Sequence, residues 1–181
     1  MIFSLFRTDP RRASVEELHR RIAAAARDPV LYLRFDVPDT AEGRFESLAL
    51  HMVLVLRRFR RLSPPAQEIA EGLVDSFFRQ LDASLREMGV GDMSVPKRIN
   101  KLAAGFYDRA AAYDAALDAR DPAALAKIFG RNFAGSADAA SALARYVQAA
   151  DEALGQDSLE TLLGAGPSFV EPGRFAEEGA R

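Results

Sequence analysis

The side chains able to carry chemistry are few, and their spacing limits what they can do. The only histidines are His19 and His51, and the 181 residues contain no cysteine. Disulfides, thiolate nucleophiles and cysteine-ligated zinc or iron–sulfur centres are therefore excluded. No HExxH pair or His-rich cluster offers a metal site. His51 lies inside an apolar run, where a hydrogen-bonded core histidine is the expected reading. The glycines fall at expected helix ends, not in a phosphate-binding pattern, and no serine sits in a nucleophile-elbow context. No cofactor is expected. The catalytic alternative is a small helical enzyme whose inter-helix pocket uses Tyr107 and nearby carboxylates.

Two charged constellations remain. Asp75, Arg79, Asp82 and Arg86 are spaced four, three and four residues apart, which lines them along one stripe of a helix. They form either a solvated ion-pair ladder or a polar docking stripe for another protein. Lys97, Arg98 and Lys101 fall in the first two turns of the next helix, where cations oppose the helix dipole. Either Asp92 or another acid neutralises them, or a partner supplies the negative charge. A contact surface for a partner is therefore expected along residues 75–101. The apolar connector around Tyr32 and Phe35 is the second candidate.

The elements that must position these groups read as helices throughout. Strand signals are almost absent, and apolar residues recur at helical spacing from end to end. Ser14 with Glu17 reads as a capping box opening a first helix, and Asp39 with Glu42 opens another that runs to about Arg61. The stretch Leu48–Leu56 is apolar all round the wheel, which belongs at the centre of a bundle. Ser63-Pro64 starts a strongly amphipathic helix. Gly89 ends it, and Val90 folds back on Leu85 as in a Schellman cap. Further starts fall at Ser94, Asp121, Ser136 and Asp157, with short helices closing at Gly130 and Leu163.

The expected fold class is all-α: a single bundle of about six or seven helices. It comprises an N-terminal arm over 1–12, a helical domain over 13–163 and a loose tail over 164–181.

Composition narrows the function further. Hydrophobic residues make up 49% and charged residues 28%, so wholesale disorder is excluded. The net charge of −2 and the lack of a helix basic along its length argue against nucleic acid. The longest apolar run falls far short of the ~20 residues a membrane span needs. A cytoplasmic protein is expected. Ile2, Phe3, Leu5 and Phe6, followed by Arg7, Arg11 and Arg12, suggest a weak contact with an anionic membrane face.

The block from Leu73-Val-Asp-Ser-Phe-Phe-Arg-Gln-Leu-Asp-Ala-Ser-Leu-Arg-Glu-Met-Gly to Val90, followed by Val95-Pro-Lys-Arg-Ile99 and Phe106-Tyr107, resembles the core of the ubiquinol–cytochrome c chaperone family. Val37-Pro-Asp-Thr-Ala-Glu-Gly-Arg-Phe45 upstream, and Leu125-Ala with Arg131-Asn-Phe133 downstream, resemble its flanking motifs. Asp36 stands where the family often has glycine. The resemblance implies a non-enzymatic assembly factor for respiratory complex III that binds newly made cytochrome b. Related mitochondrial proteins work with a small partner protein and associate with the ribosome. A generic helical protein-interaction module is the remaining alternative.

Overall fold

A computed structural model describes residues 10–133 and 135–176. Nine helical segments and no strand occur among them: α1 (Pro10–Ala25), α2 (Pro29–Arg34), α3 (Ala41–Phe59), α4 (Ala66–Glu87), α5 (Val95–Asp118), α6 (Pro122–Asn132), α7 (Ala137–Leu154), α8 (Leu159–Leu163) and α9 (Gly173–Ala176). Six exceed ten residues and α8 is the expected short helix ending at Leu163, so the expected all-α bundle is present, with α2 and α9 added. No described helix is long and apolar enough to cross a membrane.

Helix α3 occupies the centre, because its composition leaves no face for water. Leu50, Met52, Val53, Leu54, Val55 and Phe59 are all buried. Helices α1, α4, α5 and α7 pack around it, each turning in one apolar stripe, as Phe77 on α4, Phe106 on α5 and Val147 on α7 do. His51 is the expected core histidine. Its Nδ1 lies 2.7 Å from the Ser47 carbonyl and its Nε2 2.8 Å from the Tyr146 hydroxyl. The carbonyl can only accept, so Nδ1 donates and Nε2 accepts.

Helix ends follow local chemistry, with several shifts from expectation: α4 starts at Ala66 with Pro65 as its cap, beyond the expected Ser63-Pro64 start, and α6 runs past Gly130 to Asn132. Helix α1 begins at Pro10, upstream of Ser14, and Glu17 pairs with Arg20 and Arg21 instead of closing a capping box. Helix α3 is capped by Thr40, whose hydroxyl accepts from the Gly43 N–H, while Asp39 pairs with Arg44. Helix α8 is capped by Ser158, not Asp157. The α4 end is the expected Schellman motif, with Val90 N–H donating to Leu85 O and Gly89 N–H to Arg86 O.

The expectation of a loose tail does not hold over residues 164–176. Asp157, freed from capping, accepts the Ser168 N–H at 2.8 Å and its hydroxyl at 2.6 Å. Phe169 then packs edge-on against His51, ring centroids 5.0 Å apart, and Phe175 meets Tyr146. Arg21 of α1 donates to the Gly164 carbonyl. Apolar burial of two phenylalanines outweighs a Gly- and Pro-rich composition. The expected membrane-touching residues Ile2, Phe3, Leu5 and Phe6 lie outside the described residues.

The α2–α3 connection explains the departure at Asp36. Its φ is +54°, a left-handed conformation in which glycine is unstrained and aspartate is tolerated. The aspartate uses its side chain, accepting the Ser136 hydroxyl at 2.8 Å and so tying the turn to the start of α7. Gly43 is needed for a different reason: a Cβ there would stand 1.9 Å from the Pro38 carbonyl oxygen.

Candidate functional site

An open groove of about 570 Å³ runs between α1, the first turns of α3, and α4. Each helix contributes one stripe. His19 and Ala23 come from α1 and Ala26 from the turn after it, Phe45 and Leu48 from α3, and Phe77, Leu81 and Met88 from α4 and its cap. The spacings of three, four or seven residues put each set on one face. Phe45 and Phe77 stack with centroids 5.9 Å apart and form the floor. The rim is charged, with Arg27, Asp39 and Arg44.

Thr40, Gln80 and Ser84 also line the groove, and one buried polar ring is set among its apolar residues. His19 is buried, with Nδ1 3.0 Å from Ser76 Oγ. Ser76 Oγ in turn donates to Glu16 Oε2 at 3.0 Å. Its single hydroxyl proton is thereby committed, so Nδ1–H of His19 must be the donor to Oγ. Among the described residues Nε2 has no hydrogen-bond partner. Burial holds the imidazole below its usual pKa, against the opposing pull of Glu16. The groove therefore presents a neutral ring with a free acceptor nitrogen.

A second, larger cleft of about 690 Å³ lies past the other end of α3, between α5 and α7. It is polar, with a buried arginine at its centre. Arg57 is buried and donates to Asp151 (2.9 Å), Asp114 (3.2 Å) and Asp118 (2.5 Å). Burial works against the Arg57 charge, and the three carboxylates more than restore it. Arg57 in turn lowers the Asp118 carboxyl. Burial raises the Glu46 carboxyl, which is paired with Arg109 and lines neither cleft.

The structure separates the residues singled out from sequence. Arg79 does not ladder with Asp75 or Asp82; it crosses to Glu16 of α1 at 2.9 Å. Arg86 holds Asp82 at 2.6 Å and also Asp92. Lys97, Arg98 and Lys101 are exposed and have no ion-pair partner among the described residues, so Asp92 does not neutralise them. Phe35 is fully buried and packs near Tyr146, which removes it as a contact residue. Tyr32 is half-buried and donates to the Ala26 carbonyl; Leu33 is the exposed apolar residue of that connector. Tyr107 stands 57% exposed on α5, away from both clefts. The groove residues His19, Phe45, Leu48 and Leu81 were not singled out from sequence. Their signal was the same helical spacing that marks core residues.

The class these features define is an all-α bundle carrying one open, apolar-floored groove. No group of three or more His, Cys, Asp or Glu able to hold a metal occurs among the described residues. Residues 33–169 match the family model described as ubiquinol-cytochrome C chaperone. The fold is similar to the crystal structure of the Cbp3 homolog from Brucella abortus, with 40% sequence identity, a TM-score of 0.82, and coverage of 91% of this chain and 92% of that one. A search of curated proteins found no significant match. The chain belongs to the ubiquinol–cytochrome c chaperone family.

Proposed function

We propose that the protein is a non-enzymatic assembly chaperone for ubiquinol–cytochrome c oxidoreductase, respiratory complex III. In this reading it works in the cytoplasm at the inner face of the membrane and holds an apolar segment of newly made cytochrome b in the α1/α3/α4 groove. The observation that carries the reading is the groove itself: an apolar floor, open to solvent, inside a charged rim. Exposed concave apolar surface gains free energy when covered, at about 25 cal/mol per Å². The charged rim discourages self-association while the groove is empty. The catalytic alternative has less support, because Tyr107 lines neither cleft and two carboxylates of the polar cleft, Asp118 and Asp151, are clamped by Arg57.

The test is affinity purification from native membranes with the wild-type protein and with Leu81→Asp. Leu81 is only partly buried, so the fold should survive. Cytochrome b should co-purify with the wild type and fall at least tenfold with the variant at equal abundance. Equal recovery would remove the groove from the reading. Absence of cytochrome b from the wild-type eluate would remove the client.

A further inference from the structure

In the α4–α5 turn, residues 88–94, every residue except Val90 is exposed. Gly89 has φ +80°, and neither it nor Gly91 has any atom within 4 Å of where a Cβ would be, so the turn is surrounded by open space. Four large hydrophobic side chains are exposed among the described residues, and this turn carries two of them, Met93 at 96% and Met88 at 59%. Immediately behind the apex come Lys97, Arg98 and Lys101. Arginines elsewhere on α3 and α4, such as Arg57, Arg79 and Arg86, find carboxylates; these three cations do not. The acids closest in sequence are Asp92, already held by Arg86, and the exposed Glu87 and Asp108. The fold thus leaves three charges unmatched where the helix dipole makes them unfavourable.

We propose that this tip docks the protein on an anionic lipid bilayer, with Met93 and Met88 entering the headgroup layer and Lys97, Arg98 and Lys101 against the lipid phosphates. The arrangement fits a membrane better than an acidic protein. A convex turn standing in open space offers a partner protein little concave area to fill. An apolar apex backed by cations matches a bilayer interface, where methionines meet the acyl boundary and ammonium or guanidinium groups meet phosphate. One patch of this size gives reversible attachment. The proposal does not rest on the client assignment. It adds to it, because Met88 belongs both to the tip and to the groove lining, so a docked protein holds one end of its groove at the membrane surface.

The experiment is co-sedimentation of the full chain with phosphatidylcholine vesicles, with and without phosphatidylglycerol. The wild type should pellet with the anionic vesicles only, and less as salt rises. Each cation near an anionic surface contributes about a fivefold gain in partitioning, so Lys97→Gln, Arg98→Gln and Lys101→Gln together should weaken binding about 100-fold. Met93→Asp alone should weaken it severalfold. All variants keep residues 1–12, so any contribution of that arm cancels, and unchanged melting curves exclude misfolding. Leu81→Asp should pellet like the wild type, which separates this test from that of the groove. Equal pelleting of the triple variant, or no pelleting of the wild type, overturns the docking tip. So does loss of cytochrome b by the triple variant in detergent with vesicle binding intact, which would assign the surface to the client.

Discussion

The two ends of α3 border two clefts of opposite character. At its carboxyl end the larger cleft is polar and centres on Arg57, which is held by three aspartates. At its amino end the smaller groove has an apolar floor, and its one polar ring offers an acceptor nitrogen that nothing among the described residues takes up. Size would point to the first cleft. Satisfaction points to the second, because a site prepared for something else leaves its own groups uncovered, whereas a structural cluster closes on itself.

Removing the hub is the strongest way to break this comparison. Arg57→Met leaves the largely buried Asp151 without its partner and Asp114 and Asp118 with Arg60 and Arg61 alone, and should cost about 3–5 kcal/mol in urea unfolding. A loss under ~1 kcal/mol would show that the polar cleft is not structural.

Acid should reach the protein through its histidines, with a somewhat smaller effect. Burial depresses the His51 pKa from 6.5 to about 4, and His19 shifts the same way. Between those values the unfolded chain takes up a proton that folded His51 refuses, so stability is intact above pH 6.5 and falls as pH drops towards 4. Through His51 the loss should be on the order of 3 kcal/mol across that window. Chemical unfolding of wild type and His51→Gln at several pH values checks it: the variant should show a shallower decline. An unchanged slope would mean that carboxylates alone set the acid limit.

The smallest stability effect should come from the groove. Leu81→Asp should cost about 1 kcal/mol or less, because the side chain is only partly buried, while weakening client capture at least tenfold. A variant that unfolds like Arg57→Met would mean that this wall belongs to the core, and the contrast between the clefts would collapse.

How much of this was legible in the sequence varies with the range of the interaction that decides it. Long helices were readable, because every turn of α3 or α4 repeats the same constraint. Helix starts were less so where two capping residues stand side by side. At Asp39–Thr40 and Asp157–Ser158 the hydroxyl caps and the acid is released for other use, as with Arg44 and Ser168. That choice depends on residues the local pattern does not contain. The charged stripe on α4 had the right spacing, but Arg79 answers to Glu16 on another helix. The connector's apolar residues look alike in sequence; only packing against α7 makes Phe35 core and leaves Leu33 outside. The groove was least legible of all, since it exists only where three helical faces converge.

The docked tail has a consequence for how the molecule comes into being. Every helix that lines the core is synthesised before the segment that covers it. Until residues 164–176 follow, the His51–Tyr146 pair lies under an open face, without Phe169 and Phe175 above it. The Asp157 clamp that orders the segment is likewise empty until Ser168 has been made. A chain released early would keep its helices and still carry a wet, half-open flank, the kind of surface that cellular proteases find first. Residues 164–176 therefore decide whether the protein persists long enough to meet a client.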